Sequence, residues 1–224
     1  MTEAYRHPDW ARQALLRLGQ RLPLKVASTT VAISVFMVIY FVLLRHPFFS
    51  VTLIPLTSLD RSIGFRPWSF FPYVSLWFYI SLVPMLLHAR RELELYLSSV
   101  VLLAAVGFGI FLFWPTAVPA PDIDWARYPY IAFLKSVDAA GNACPSLHVA
   151  YAVLTAIWLD RLLLGLQAPR LIHVLNWAWC LVIAYSTLAT KQHVALDLAA
   201  GALLGAAMAA IHLYFDRSLR PMAD

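Results

Sequence analysis

The stretch Lys191-Gln192-His193-Val194-Ala195-Leu196-Asp197 runs directly into Leu198-Ala199-Ala200-Gly201-Ala202-Leu203-Leu204-Gly205, and no further Asp, Glu, Lys or Arg follows before Phe215. About 20 apolar residues suffice to cross a bilayer as a helix. The stretch therefore predicts a membrane span with a histidine and a carboxylate at its mouth. His193 and Asp197 stand four residues apart, which is one turn on one helical face. Ionisable groups at a membrane boundary are costly to keep there, so the pair is by default a functional-site candidate. A second polar interruption, Cys144-Pro145-Ser146-Leu147-His148, heads another apolar run.

The rest of the chain agrees with a membrane solvent. Of 224 residues 61% are hydrophobic and 13% charged, with a mean hydropathy of +0.70; soluble domains are nearer half apolar. Spanning runs are expected near 24–44, 70–88, 94–114, 146–165, 171–189 and 193–215. The fold class read from this pattern is an all-α integral membrane protein, a bundle of six transmembrane helices. Segment 1–23 reads as an amphipathic cytoplasmic N-terminal piece, 24–216 as one catalytic domain and 217–224 as a cytoplasmic tail. No alternating runs of nine to eleven residues suggest a barrel. Gly201 and Gly205, four apart among alanines, predict close packing of the last helix inside the bundle.

Orientation follows from the basic residues. With the N-terminus inside, eleven of the 17 Lys and Arg fall in inner segments and six in outer ones. Both termini are therefore expected in the cytoplasm, in a multi-pass protein of the cell membrane. His148 and His193 then share the extracytoplasmic face. The net charge of +5 follows from this bias and implies no nucleic-acid partner. Residues 8–22 carry the stripe Trp10, Ala14, Leu18 and Leu22 beside Arg12, Arg17 and Arg21, as an interfacial helix or a plain inner anchor does. The first span starts late and ends in Arg45-His46-Pro47, unlike a cleavable signal. Cys144 at a boundary and Cys180 in mid-span are not expected to pair.

The residue types at the two mouths suit phosphoryl transfer. A carboxylate at Asp197 that accepts the Nδ1 proton of His193 leaves Nε2 free and basic, as a nucleophile requires. A structural His–Asp pair closing a helix end is the competing reading of that spacing alone. Ser146 is a natural N-cap, and the free N–H groups that follow, Leu147 included, form an anion site at the positive helix end. His148, in that first turn beside a bound phosphate, is placed to protonate a leaving alkoxide. Lys191, Lys135 and Arg127 are candidates to hold the equatorial oxygens. No triplet of carboxylates or histidines has metal-ligand spacing, so neither metal nor cofactor is expected.

These motifs resemble the type 2 phosphatidic acid phosphatase superfamily, whose pattern is Lys-x6-Arg-Pro, Pro-Ser-Gly-His and Ser-Arg-x5-His-x3-Asp on six membrane helices. Pro145-Ser146-Leu147-His148 matches the second motif with Leu147 in place of Gly. Ser186, His193 and Asp197 match the third, with Thr187 in place of Arg. Arg127, followed by Tyr128 and Pro129, does not reproduce the first. Phe113-Trp114-Pro115-Thr116-Ala117-Val118-Pro119 and Thr190-x-x-His193-x3-Asp197 are similar to the inositol phosphorylceramide synthase branch. The resemblance implies His193 as nucleophile and His148 as acid/base. It leaves Ser146, Leu147, Thr190, Lys191, Arg127 and Lys135 as candidate phosphate ligands, with Lys191 standing in for the missing Arg.

A lipid-phosphate phosphatase is the first reading, with a membrane lipid as substrate and the bilayer as partner. A headgroup phosphotransferase is the alternative. A rhomboid-type intramembrane serine protease also has six spans, but Ser146 lacks a Gly-x-Ser-x-Gly setting. A transporter fits poorly, because few polar residues fall at mid-membrane depth.

Overall fold

In lipid an apolar segment can satisfy its backbone only as a helix or within a closed barrel. The computed structural model describes residues 9–45, 47–137 and 142–215. Among these, six helices are long and apolar enough to cross a membrane: Leu22–Arg45, Pro67–Leu86, Arg90–Phe113, Leu147–Gly165, Arg170–Ala189 and Ala195–Leu213. They lie within a few residues of the expected spans. In chain order the helices are α1 (Trp10–Gly19), α2 (Leu22–Arg45), α3 (Ser58–Ser62), α4 (Phe70–Val74), α5 (Leu76–Leu86), α6 (Arg90–Phe113), α7 (Pro129–Val137), α8 (Leu147–Gly165), α9 (Arg170–Ala189) and α10 (Ala195–Phe215). The second span is composite, a 3-10 turn at Pro67–Ser69 followed by α4 and α5, with a break at Ser75.

Burial ranks the spans. Two thirds of the apolar window of α8 is buried and none of that of α2. So α8 is the central helix, and α2 is a peripheral one that shows most of its surface to lipid. Leu147, Leu154, Trp158 and Leu162 of α8 pack with Leu76 and Val83 of α5, Leu103 of α6, Ile183 of α9 and Met208 of α10. Helices α8 and α10 pack with their backbones in close approach. A Cβ at Gly201 would overlap the carbonyl oxygen of Ser146, and one at Gly205 that of Ala150. Only glycine lets the two backbones meet there.

The two signatures lie at one end of the bundle, where the longer loops gather. Strands β1 (Thr52–Leu53) and β2 (Thr116–Ala117) pair in parallel there, and Thr116 bridges to Asn142. Thr116 also accepts the N–H of Ala143 on its carbonyl (3.1 Å) and that of Cys144 on its hydroxyl (2.7 Å). This clamp sets the path of the chain into α8. At the opposite end α1 folds back on the bundle: Gln20 meets His88 Nδ1 (2.7 Å), and Lys25 Nζ donates to the Met85 carbonyl (2.7 Å). Within α1, Trp10, Ala14 and Leu18 are half-buried. Leu22, the last member of the predicted stripe, belongs to α2. Both cysteines are free.

Candidate active site

His193 sits in the short link between α9 and α10. Lys191 takes a left-handed conformation (φ 58°) that ends the first helix, and the N–H groups of Gln192 and His193 both donate to the Thr187 carbonyl (3.1 Å each). The expected arrangement had both residues on one helical turn. The structure instead starts α10 at Ala195, so His193 lies just outside it. The reason is local capping: Asp197 Oδ1 accepts the N–H of Val194 (2.7 Å), which satisfies an orphan donor of the first turn and stops the helix there.

The contact survives this change. Asp197 Oδ2 lies 2.7 Å from His193 Nδ1, with the two side chains 0% and 11% exposed. Its Oδ1 also accepts from Leu198 N (3.0 Å). A carboxylate that already accepts two backbone N–H groups is held as an acceptor, which assigns the proton to Nδ1 and the lone pair to Nε2 of His193. The contact thus holds the neutral form of the ring in one tautomer and one orientation.

Ser146 caps α8 as expected, its hydroxyl accepting from Val149 N (3.3 Å). Its own N–H donates to the Asp197 carbonyl (2.9 Å), which ties the start of α8 to the first turn of α10. That bond brings together two signatures about 50 residues apart. His148, one residue into α8, stacks on Tyr73 with ring centroids 4.0 Å apart and 14° between planes. The ring also pairs with the Tyr73 backbone. Its Nε2 is buried and has no partner among the described residues.

Both histidines line one cavity of about 390 Å³. Its walls are mostly apolar: Phe36, Tyr40 and Phe41 from α2, Trp77 from α5, and Phe133 and Leu134 from α7. Leu147 lines it too and fills the notch left by Gly107.

Lys191 Nζ donates to the carbonyls of Asp60 (3.2 Å) and Ile63 (2.5 Å). Thr190 is fully buried, its hydroxyl donating to the Ser186 carbonyl (2.8 Å) at the end of α9. Arg127 is in a 3-10 turn (Trp125–Arg127), its guanidinium 3.6 Å from Asp124 and largely exposed, and it does not line the cavity. Lys135 belongs to α7, but its side chain lies outside the described residues.

Three residues at the site carry no sequence signal of their own. Tyr73 is one aromatic among many. Asp60 is one acid among 12, yet its Oδ1 accepts the N–H of Ala195 (2.8 Å). Gln192 is only 4% exposed, and neither carboxamide atom has a partner among the described residues. At the boundary, burial and then the Asp197 charge push the Cys144 thiol up to about 11.

The family described as the PAP2 superfamily matches residues 93–220, more than half of the chain. That range holds Ser146, His148, His193 and Asp197 and stops short of Asp60 and Tyr73. Neither a curated protein nor a solved structure matches.

Proposed function

On the premise that this chain belongs to the PAP2 superfamily, a family of phosphatases and phosphotransferases, we propose that it is a lipid-phosphate phosphatase working through a phosphohistidine. The observation that carries the substrate class is the cavity. Aromatic and aliphatic walls from α2, α5 and α7 end on two imidazoles, which is the shape and polarity of an amphiphile with a phosphate at one end. Nε2 of His193 attacks phosphorus, and the bond from phosphorus to the lipid oxygen breaks. His148, protonated beside the phosphate, passes its Nε2 proton to the departing alkoxide. Water then attacks the phosphohistidine and gives a proton back to His148; inorganic phosphate leaves. Asp197 keeps the His193 tautomer and stabilises the charge that develops on the ring. The basic-residue count supports a site on the extracytoplasmic face.

The deciding experiment incubates purified protein with phosphatidic acid, prenyl phosphates and phospholipids, assaying both free phosphate and new phospholipid. Free phosphate, with acid-labile label on His193, is expected. New phospholipid without free phosphate would assign the headgroup phosphotransferase instead. Unchanged turnover in His193→Ala would remove the mechanism.

A further inference from the structure

A nucleophile on a link between two helices is only as well placed as the link. Within its own segment the 190–194 turn is held to α9 by the Thr187 carbonyl and to α10 by Asp197. What holds the two sides at a fixed separation comes from far away in the chain. Residues 57–66 lie across the turn and grip it at three points. The N–H of Arg66 donates to the Ala189 carbonyl (2.9 Å) before the turn. Lys191 Nζ within it donates to the carbonyls of Asp60 and Ile63. After the turn, Asp60 Oδ1 accepts the first N–H of α10, at Ala195.

Asp60 is shaped for that task. Its Oδ2 accepts both the N–H and the hydroxyl of Thr57 (2.7 Å each), closing a capping box on α3. With Oδ1 on Ala195 the carboxylate has three donors, is 7% exposed, and has one orientation. Burial alone would raise this carboxyl. Hydrogen bonds from Thr57 and Ala195, with the Lys191 charge, hold it below the usual carboxylate range, so it stays ionised at neutral pH.

We infer that Asp60 is a positioning residue for the reaction: through Ala195 N–H it fixes the start of α10, and with it the aim of His193 Nε2. The inference rests on the phosphohistidine reading above and extends the site beyond the matched range 93–220. Displacing a nucleophile by about 1 Å costs on the order of 10²-fold in rate, whereas substrate binding in the apolar cavity does not depend on that aim.

Two variants test it, each assayed on phosphatidic acid in detergent micelles beside His193→Ala. Ala195→Pro deletes the donor that Asp60 accepts, and proline is favoured at a first helical position. Asp60→Asn keeps an acceptor for one side but presents an amide donor to the other. Expected are a fall in kcat of about 10- to 100-fold, KM within twofold, and slower phosphohistidine formation per folded molecule, with thermal melting near wild type for Ala195→Pro. Wild-type kcat in Ala195→Pro beside an inactive His193→Ala overturns the positioning role alone. So does a loss of kcat no larger than the loss of folded protein. Turnover that survives His193→Ala overturns the phosphohistidine reading, and this inference falls with it.

Discussion

At the scale of single residues, the proposed chemistry turns on which imidazole nitrogen carries a proton. Asp197 fixes this for His193 through one 2.7 Å contact, while two backbone N–H groups hold its other oxygen. Asp197→Asn can keep a backbone bond but offers an amide to Nδ1, so the wrong tautomer results. A kcat loss of about 10²- to 10⁴-fold is expected, by analogy with carboxylate-to-amide changes behind other catalytic histidines, measured as phosphate release. In kcat/KM, which reports only the steps through alcohol release and not the later hydrolysis common to both substrates, His148→Ala should cost about 10²–10⁴ on an alkyl phosphate and far less on p-nitrophenyl phosphate, because nitrophenolate leaves without a proton. Equal losses on both would remove the acid role. Cys144 tests the electrostatics beside the site. With its thiol pushed up to about 11, the thiolate is scarce at neutral pH. In a Cys180→Ala background, alkylation should be slow at pH 7 and accelerate until the pH passes that value. The local pattern marked His193, Asp197, Ser146 and His148, because tautomer control and capping act within four residues of chain. It did not mark Tyr73, whose stacking on His148 joins α4 to α8.

At the scale of elements, the contact of α8 with α10 delivers the two signatures to one place. The glycines at 201 and 205 permit it, and the Ser146–Asp197 backbone bond completes it. Gly205→Ala sets a methyl group against the Ala150 carbonyl. Overpacking of that kind costs about 1–3 kcal/mol, a fall in Tm of roughly 2–10 °C for a chain of this size, read by thermal unfolding in detergent. A melt unchanged within a degree would show that the helices adjust freely. The small-residue spacing announced this packing, but it did not announce which helix would be the partner. Helix α10 starts two residues later than the apolar period predicts, because capping by Asp197 and the left-handed Lys191 outweigh that period there.

At the scale of the whole molecule, a peripheral α2, the α4–α5 span and the short α7 wall off a cavity that reaches the histidines from the apolar side. Leu134→Trp narrows it from the α7 wall, which carries neither histidine. KM for a long-chain lipid phosphate should rise about tenfold, some 1.4 kcal/mol of lost binding, while p-nitrophenyl phosphate turnover stays near wild type; a parallel loss on both substrates would place Leu134 in the chemistry instead. The six spans are legible in the chain itself, because lipid leaves an apolar segment of about 20 residues little choice but a helix. So are the His193–Asp197 contact and the Ser146 cap, which are short-range. That α8 is central, that Tyr73 backs His148, that the cavity is apolar and that Lys191 engages the carbonyls of Asp60 and Ile63 emerge only when the helices pack. The Asp60–Ala195 bond shows why: its partners lie 135 residues apart, and nothing in the chain near either one specifies the other until the helices have packed.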